Sequence, residues 1–438
     1  MKRLGFYFGC ILLLLVGSCK DDKVDGQWIP PVSNKPNILL IIADDIGIEA
    51  TPGYSIGSTK PNMPNLESLA QKGVSFDNFW TYPICSPTRA SILTGRYGYR
   101  TGVLDVEANG TIPADEKTLH QYVDEVSGNA YSHSIIGKWH LSSKEPNRPT
   151  QMGIGYYAGL LGGAVQDYNN WQFTENGQTS TYNGYVTTKF TNLAIDWINN
   201  QDKPWLCWLA YTAPHTPFHL PPDSMHSQGN LPTDQASVDA NPLPYFMAMI
   251  ESVDFEIGRL MANIPADELE NTVIIFIGDN GSHGQVIQAP FISTQAKGSL
   301  YEGGIHTPLI VSGIGVSRLN EREAALVSSA DIFATIGKLC GGSFSNYQDS
   351  YSFAGLLDNS SASARLFNYS EVLNSIPNKS GYTIRNEKYK LIQFDNGKQA
   401  LFNLDQDPYG TNNLIDKLSS TDQKEMDKLE EEAANIRD

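Results

Sequence analysis

The chain of 438 residues is poor in cysteine and in basic side chains, and it lacks an apolar run long enough to span a membrane. Five cysteines are too few for a disulfide-dense scaffold. Lysine and arginine number 31 against 48 acidic residues, so the net charge is -17. Such an acidic chain is poorly suited to bind nucleic acid, which requires a basic face. Attraction to an anionic ligand must therefore come from a few cations in a local pocket.

The first residues have the composition of an export signal. Two basic residues precede an apolar stretch at 4–16, which is shorter than the roughly 20 residues of a transmembrane helix. The next segment, Val-Gly-Ser-Cys at 16–19, resembles a bacterial lipobox. We therefore predict a lipoprotein signal peptide over 1–18, lipid on Cys19 and a polar tether over 19–35. The protein would be exported and anchored at the outer membrane, on its periplasmic face or at the cell surface. A plain signal peptide without lipid is the alternative.

Short apolar runs alternate with amphipathic segments along most of the chain. The runs are continuous, which is typical of strands covered on both faces of a sheet. They lie at Asn37–Ala43, Ser134–Gly137, Trp205–Tyr211, Thr272–Gly278 and Pro308–Val311. Helices are predicted between them at Pro64–Lys72, Val186–Asn199 and Tyr245–Asn263. This alternation predicts an α/β fold with a large, mostly parallel sheet flanked by helices.

The end of the chain has a different pattern. Two strand-like segments, Tyr389–Phe394 and Ala400–Leu404, flank an Asn-Gly pair, which is a strong hairpin signal. A charged amphipathic segment at Asp422–Ile436 predicts a terminal helix. We therefore divide the folded part into an α/β catalytic domain over 36–344 and a smaller antiparallel α+β subdomain over 345–438.

Polar residues directly follow four of the predicted strands. Asp44 and Asp45 follow the first of these, and Asp279 and Asn280 follow the fourth. The carboxyl ends of strands in an open α/β sheet form one crevice, where sites occur. Three carboxylates brought together repel one another strongly unless a cation lies among them. An all-oxygen ligand set indicates calcium or magnesium and not zinc. Either pair taken alone would be interpreted as the cap of a helix or a turn.

Cys85 precedes a segment with strong helix signals. Ser86 is a good N-cap, Pro87 suits the first helical position and Gly95 suits the stop. Cys85 would then lie at the mouth of a short helix, where free N–H groups and the macrodipole stabilise an anion. Arg89 lies one turn further on and can return toward the cysteine. The pattern indicates a reactive group beside an anion site, with an ordinary cysteine before a capped helix as the alternative.

Two lysines and two histidines complete the set of candidate residues. Lys138 and His140 follow the second predicted strand, His215 follows the third, and Lys297 lies further along the chain. Lysine binds anionic oxygens, and histidine transfers protons near neutral pH. Each of these residues taken singly is more often a surface or packing residue than a functional one.

The segment from Cys85 to Arg89 matches the Cys-x-Pro-Ser/Thr-Arg signature of the type I, formylglycine-dependent sulfatases, a family of the alkaline phosphatase superfamily. Further blocks resemble the family in its chain order, at Asn37–Asp45, Pro64–Gly73, Gly137–Leu141, Ala213–His215, Gly278–Gly281, Lys297–Gly304 and Leu401–Leu414. The resemblance covers nearly the whole chain after the predicted tether. It implies an alkaline-phosphatase-like sheet.

The resemblance also implies the chemistry of the site. A separate maturation enzyme would oxidise Cys85 to formylglycine, and the hydrated aldehyde would attack the sulfur of a sulfate ester beside one calcium ion. The implied calcium ligands are Asp44, Asp45, Asp279 and Asn280.

The remaining candidates also receive roles from the resemblance. Arg89 would steady the modified residue, while Lys138 and Lys297 would bind the sulfate oxygens. His140 would contact the formylglycine diol and assist its collapse. His215 together with Lys297 would protonate the leaving oxygen.

Two other functions are compatible with the same residues. A phosphodiesterase or phosphonate monoester hydrolase of this superfamily is the closer alternative, because sulfate and phosphate esters share a tetrahedral geometry. A non-catalytic, glycan-binding surface lipoprotein is the second, although the intact set of candidate residues argues against it.

The predicted substrate is a sulfated carbohydrate, taken at or near a chain end. A surface lipoprotein meets extracellular glycans first, and a strongly acidic protein repels a long polyanion. The segment 154–171 carries aromatic residues among glycines, a composition that suits stacking on a sugar ring and equally suits loop packing. A disulfide between Cys207 and Cys340 is left open.

Overall fold

The computed structural model describes residues 35–106, 110–142, 145–362, 364–373 and 379–438. The predicted signal peptide, the lipid on Cys19 and all of the tether except its last residue lie outside the described residues, so they stay predictions. Within the described part, every helix is too short or too polar to cross a bilayer.

The strands of the described ranges are β1 (Asn37–Ala43), β2 (Gly73–Trp80), β3 (Ser132–Lys138), β4 (Tyr156–Leu160), β5 (Asn170–Glu175), β6 (Gln178–Asn183), β7 (Trp205–Ala210), β8 (Thr272–Gly278), β9 (Leu309–Gly313), β10 (Glu321–Ser328), β11 (Asn346–Tyr347), β12 (Ser350–Tyr351), β13 (Asn368–Val372), β14 (Gly381–Arg385), β15 (Tyr389–Phe394) and β16 (Gln399–Asn403).

The α-helices of the same ranges are α1 (Pro64–Gln71), α2 (Cys85–Thr94), α3 (Gly98–Thr101), α4 (Leu119–Ser127), α5 (Arg148–Gln151), α6 (Val186–Ile198), α7 (Gln235–Ala240), α8 (Leu243–Asn263), α9 (Ala266–Glu270), α10 (Glu302–Ile305), α11 (Asp331–Leu339) and α12 (Ser420–Arg437). Short 3-10 helices lie at Ile48–Ala50, Asp223–Met225, Ser293–Gln295, Ala354–Leu357 and Ile415–Lys417.

A ten-stranded sheet forms the centre of the fold, in the order β10-β2-β9-β8-β1-β7-β3-β4-β5-β6. Strands β8, β1, β7, β3 and β4 are parallel to one another. Strand β9 runs antiparallel to both of its neighbours, and β5 and β6 extend the sheet by antiparallel pairing. The strand predicted at Pro308–Val311 is therefore present but reversed. A continuous apolar run indicates burial on both faces and carries no information about direction.

Helices cover both faces of this sheet because its central strands are apolar throughout. In β1, Ile38, Leu40 and Ile42 pack into one apolar cluster, whereas Leu39 and Ile41 pack into the other. Helices α2, α4 and α11 contribute to the first cluster, and α1, α6 and α8 contribute to the second. The predicted α/β architecture is confirmed.

A second, antiparallel sheet lies near the end of the chain, in the order β13-β14-β15-β16. Helix α12 packs on it through Met426, Leu429 and Ala433. The predicted hairpin joins β15 to β16, and Gly397 adopts φ 83° in its turn. The small antiparallel α+β unit is thus confirmed, while the exact boundary between residues 344 and 345 stays a prediction.

Cys207 and Cys340 do not form a disulfide. Both are free and buried, and they lie in different apolar clusters on opposite faces of the central sheet. Both therefore serve as small core residues.

Candidate active site

Strands β8, β1, β7 and β3 are adjacent and parallel, so their carboxyl ends meet at one edge of the sheet. Helix α2 and the loop before α10 reach the same edge. The structure places all the predicted site residues there: Asp44, Asp45, Cys85, Arg89, Lys138, His140, His215, Asp279, Asn280 and Lys297. Their chemical roles stay predictions.

Three buried carboxylates form the centre of the site. Asp44, Asp45 and Asp279 are each at most 1% exposed. The backbone N–H of Asp45 donates to Asp279 Oδ1 at 3.1 Å, and Asn280 Nδ2 donates to Asp45 Oδ1 at 2.7 Å. Asp45 has a left-handed φ of 72°, a conformation that costs on the order of 1–3 kcal/mol and persists only where its surroundings enforce it.

Three oxygens of this group lack a hydrogen-bond partner among the described residues: Asp44 Oδ1, Asp45 Oδ2 and Asn280 Oδ1. Ligand atoms of Asp44 and Asp279 lie within 4.8 Å of each other, and so do those of Asp44 and Asp45. Burial, and then the charge of Asp279, raise the pKa of Asp44 well above its usual range. A divalent cation would reverse that shift and partner the free oxygens, and this donor set suits a hard cation.

Two lysines form ion pairs with the carboxylates. Lys138 Nζ lies 2.5 Å from Asp44 Oδ2, and both side chains are fully buried. Lys297 Nζ lies 2.5 Å from Asp45 Oδ1, and its side chain is 16% exposed. Although burial acts in the opposite direction, the charge of Lys297 holds the pKa of Asp45 below its usual range. An anion bound beside the carboxylates therefore meets two ammonium groups.

Helix α2 begins at Cys85, so Cys85 lies in its first turn. The prediction that Ser86 caps this helix is wrong, because Ser86 is itself helical and its Oγ donates to the carbonyl of His140 at 2.8 Å. Pro87 accordingly takes the third helical position. Gly95 ends the helix with φ 67°, as predicted. The first N–H groups of a helix have no partner within the helix, so the start of α2 favours an anion beside Cys85.

His140 is held against the cysteine. Its Nδ1 lies 3.3 Å from Cys85 Sγ, and its backbone has φ 59°. Burial, and then the charge of Lys138, hold the pKa of His140 well below its usual range, so the ring is neutral at neutral pH. Burial likewise raises the pKa of the Cys85 thiol. The unmodified thiol is therefore a poor nucleophile at neutral pH.

Arg89 joins the nucleophile helix to the carboxylate group. Its guanidinium is fully buried, donating from Nη1 to the carbonyl of Lys138 at 2.8 Å and from Nη2 to Asp279 Oδ2 at 2.7 Å. These bonds fix the orientation of Asp279 and connect α2 to the ends of β3 and β8. The sequence indicated that Arg89 can return toward Cys85. Its side-chain hydrogen bonds go to the strand ends, and it also interacts electrostatically with Cys85.

The orientation of His215 identifies its tautomer. Its Nδ1 lies 2.8 Å from the carbonyl of Thr216, and a carbonyl only accepts, so Nδ1 carries the proton. Its Nε2 then has a lone pair, 3.9 Å from Asp45 Oδ2. Burial and the charge of Lys297 lower the pKa of His215 to about 3.

Two residues that support the histidines escaped the sequence analysis. The Tyr168 hydroxyl lies 2.6 Å from the carbonyl of His215, which anchors that loop. A Cβ at Gly163 would lie 2.2 Å from Cε1 of His140, so a larger residue would displace the ring. Both lie in a stretch with no recognisable pattern, and neither residue type signals a role by itself.

The aromatic residues of 154–171 pack inside the protein. Tyr157, Tyr168 and Trp171 are at most 3% exposed, and the Tyr156 hydroxyl donates to Glu175 at 2.6 Å. The interpretation of this segment as a sugar-stacking surface is wrong, and the packing alternative is confirmed. Strands β4 and β5 account for this composition.

Comparison with known proteins agrees with this geometry. The model of the sulfatase family matches residues 36–342, and the model of the C-terminal part of N-sulphoglucosamine sulphohydrolase matches residues 295–437. An uncharacterized sulfatase, YdeN of Escherichia coli (strain K12), is 28% identical over 69% of this chain, and the match spans 62% of the YdeN length. An ulvan-active sulfatase of Formosa agariphila is 26% identical over 96% of this chain and 85% of its own length.

The fold also matches solved structures. The crystal structure of Ps i-CgsB in complex with k-i-k-neocarrahexaose has a TM-score of 0.75 and 23% identity, covering 91% of this chain and 92% of the other. The family match spans more than half of the chain and includes the residues gathered at the strand ends. The chain therefore belongs to the sulfatase family.

Proposed function

We propose that this protein is a sulfuric ester hydrolase that removes sulfate from a carbohydrate. The observation that carries the proposal is a single site in which Cys85, at the start of a helix, is surrounded by two lysines, two histidines and a carboxylate group. In the reaction the bond between sulfur and the ester oxygen breaks, water supplies the new oxygen of sulfate, and a proton goes to the departing alcohol.

Calcium fits the carboxylate group. The proposed ligands are Asp44, Asp45, Asp279 and Asn280, all of which offer oxygen, and three of their buried oxygens lack hydrogen-bond partners within the described residues. When bound, calcium would act as a Lewis acid that stabilises negative charge on the sulfuryl group. Arg89 contributes by orienting Asp279, and Asn280 by donating to Asp45.

Cys85 is proposed to act after conversion to formylglycine by a maturation enzyme, which we infer as a transient partner. The raised pKa of its thiol and its near-complete burial support this, because the thiol itself is mostly protonated at neutral pH. The hydrated aldehyde would supply the attacking hydroxyl, and the resulting sulfated diol would lose sulfate to regenerate the aldehyde, which water hydrates again. His140, 3.3 Å from Cys85 Sγ and neutral, is placed to hold or accept a proton at Nδ1.

The lysines and His215 are proposed to handle the sulfate group and the departing alcohol. Lys138 and Lys297 already lie against the carboxylates, where they provide positive charge for sulfate oxygens. His215 is neutral and presents an unprotonated Nε2, so the proton for the alcohol oxygen starts on Lys297. His215 then either passes this proton to the alcohol oxygen or orients the Lys297 ammonium that donates it.

A carbohydrate substrate is supported by the relatives and by the burial of the site. One relative is named an ulvan-active sulfatase, and one similar structure is a complex with k-i-k-neocarrahexaose. Lys138 is 1% exposed, so the sulfate must enter deeply to reach it. A sulfate at or near a chain end enters such a site more easily than one within a polymer.

We expect the matured protein to release sulfate from sulfated oligosaccharides faster than from the intact polysaccharides that yield them. Sulfate release from matched pairs, measured by ion chromatography, tests this. Aryl sulfate and aryl phosphodiester compounds with the same leaving group serve as the control for the reaction class. Faster cleavage of the phosphodiester would contradict the sulfatase proposal, and equal desulfation along the intact polymer would contradict the preference for chain ends.

We also propose that Cys19 carries a lipid that anchors the protein to the outer membrane. Each acyl methylene buried in the bilayer contributes about 0.8 kcal/mol, so a diacylated cysteine anchors firmly. Replacing Cys19 by alanine is expected to move the protein from the membrane fraction to the soluble fraction, as followed by immunoblotting. A Cys10→Ala variant, altered within the signal peptide, is the matched control and should stay membrane-bound. Unchanged membrane association of Cys19→Ala would show that the lipid prediction is wrong.

A further inference from the structure

A buried ion pair joins the small C-terminal sheet to the loop that carries Lys297. Lys390 of β15 donates to Oε1 of Glu302 at 2.8 Å, and both side chains are at most 1% exposed. The other oxygen, Oε2, accepts a hydrogen bond from Trp80 Nε1 at 3.3 Å and lies 2.9 Å from Nδ1 of His306. Lys390 and Trp80 therefore hold the two oxygens of Glu302, the first residue of α10.

Helix α10, although only one turn long, contacts two loops of the site. The N–H of Gly281, next to Asn280, donates to the carbonyl of Gly304 at 2.9 Å. The N–H of Thr81, in the loop that leads into α2, donates to the carbonyl of Ile305 at 2.8 Å. A displacement of α10 would thus move a proposed calcium ligand and the start of the nucleophile helix together.

Apolar contacts connect the same elements to the C-terminal sheet. Ile84, directly before Cys85, and Leu300, three residues after Lys297, pack in one apolar cluster with Ile392 and other side chains of β13, β15 and β16. The Ser370 hydroxyl of β13 also donates to the carbonyl of Thr81 at 2.9 Å. The C-terminal sheet therefore supports both segments that bring reactive side chains into the site.

We propose that Lys390, acting through Glu302, is a positioning residue for the active site, so that the C-terminal sheet sets the placement of Lys297 and of the nucleophile at position 85. This positioning role of Lys390 rests on the proposed function. A buried ion pair contributes little to net stability relative to apolar residues of the same size, and in some proteins it instead fixes one arrangement of the segments around it. The ammonium of Lys390 and the indole N–H of Trp80, one on each oxygen of the Glu302 carboxylate, fix the direction of α10 in this way.

The test replaces Lys390 by methionine, which keeps the length and removes the charge. The expected result is a roughly 10- to 100-fold fall in kcat with KM changed less than about threefold, since misplacement of a catalytic group by about 1 Å has effects of this size. Lys390→Arg keeps the charge and should restore most of kcat. Glu302→Gln should resemble Lys390→Met, and the double variant should be no worse than either single variant.

Arg318→Met is the matched control. Arg318 forms an ion pair with Glu323 at 2.6 Å, with side chains 8% and 7% exposed, beside β10 and on the far side of β2 from the site. Its loss should lower the melting temperature and leave kcat unchanged. Equal kcat in Lys390→Met and Arg318→Met would overturn the proposal. So would a double variant, Lys390→Met with Glu302→Gln, whose fall in kcat equals the product of the two single falls.

Hydrogen exchange followed by mass spectrometry gives a readout independent of activity. Lys390→Met and Glu302→Gln should exchange faster than the wild-type protein at residues 81–86 and 297–305, and Arg318→Met should not. Unchanged exchange at both segments would count against the positioning role. A matured wild-type protein that cleaves no sulfate ester would refute the proposed function, while the exchange comparison would still decide whether Lys390 positions these loops.

Discussion

Replacing Cys85 by alanine is expected to abolish sulfate release, with a loss of roughly 10⁴- to 10⁶-fold in kcat, the range seen when a hydrolase loses one of its catalytic residues. Cys85 lies in the first turn of α2, 3.3 Å from His140 Nδ1, and no other cysteine of the described residues lies at this edge of the sheet. The measurement is sulfate release by protein produced in a host that contains the maturation enzyme.

Cys207→Ala is the matched control, because Cys207 is also fully buried but lies within β7, packed in the core. It should lower stability and leave kcat essentially unchanged. Peptide mass spectrometry of the wild-type protein should find an aldehyde in place of the thiol at position 85. Full activity in Cys85→Ala, or an unmodified thiol in highly active protein, would contradict the proposed chemistry.

Removing calcium is expected to abolish activity, and adding it back should restore activity and raise the melting temperature. A ligand present at about 100 times its Kd stabilises the folded state by about 2.7 kcal/mol, which corresponds to a shift of a few degrees. The reason is local: calcium would partner buried oxygens of Asp44, Asp45 and Asn280 that lack hydrogen-bond partners in the described structure. A calcium titration of chelator-treated protein by differential scanning fluorimetry measures the shift without reference to activity.

Asp279→Asn should remove both the calcium-dependent shift and the activity. Asp254→Asn is the matched control, since Asp254 is also a buried carboxylate but accepts hydrogen bonds from Asn65 and Leu66 at the start of α1. It should lower the melting temperature while keeping the calcium shift. Zinc at full occupancy, with calcium ineffective, would show that the metal assignment is wrong.

Much of the fold was predictable because the central strands are apolar on both faces. The predicted limits of the central strands β1 and β8 agree with the structure to the residue. Burial of both faces makes such runs continuous and easy to detect. By contrast, β5 and β6 lie at the edge of the sheet, and the exposed β6 is polar along its length, so this part of the chain offered no apolar run to detect.

The sequence by itself determined which chemical groups this protein has available and roughly where they lie along the chain. The Cys-x-Pro-Thr-Arg segment, the carboxylate pairs and the acidic composition can each be recognised locally, because they depend on residue type and short spacing. We could predict that these groups meet at one edge of the sheet only because the carboxyl ends of adjacent parallel strands lie at the same edge.

Only the tertiary structure decided how those groups are connected. Hydrogen bonds join Arg89 to Lys138 and Asp279, and another joins Ser86 to His140, although these residues lie far apart in the chain. The antiparallel direction of β9 is likewise set by its pairing with the distant strand β8. The same holds for the ion pair of Lys390 with Glu302, 88 residues apart, which connects the C-terminal sheet to the site. Local sequence patterns report burial and residue chemistry, but the partner of a buried polar group depends on how distant segments pack together.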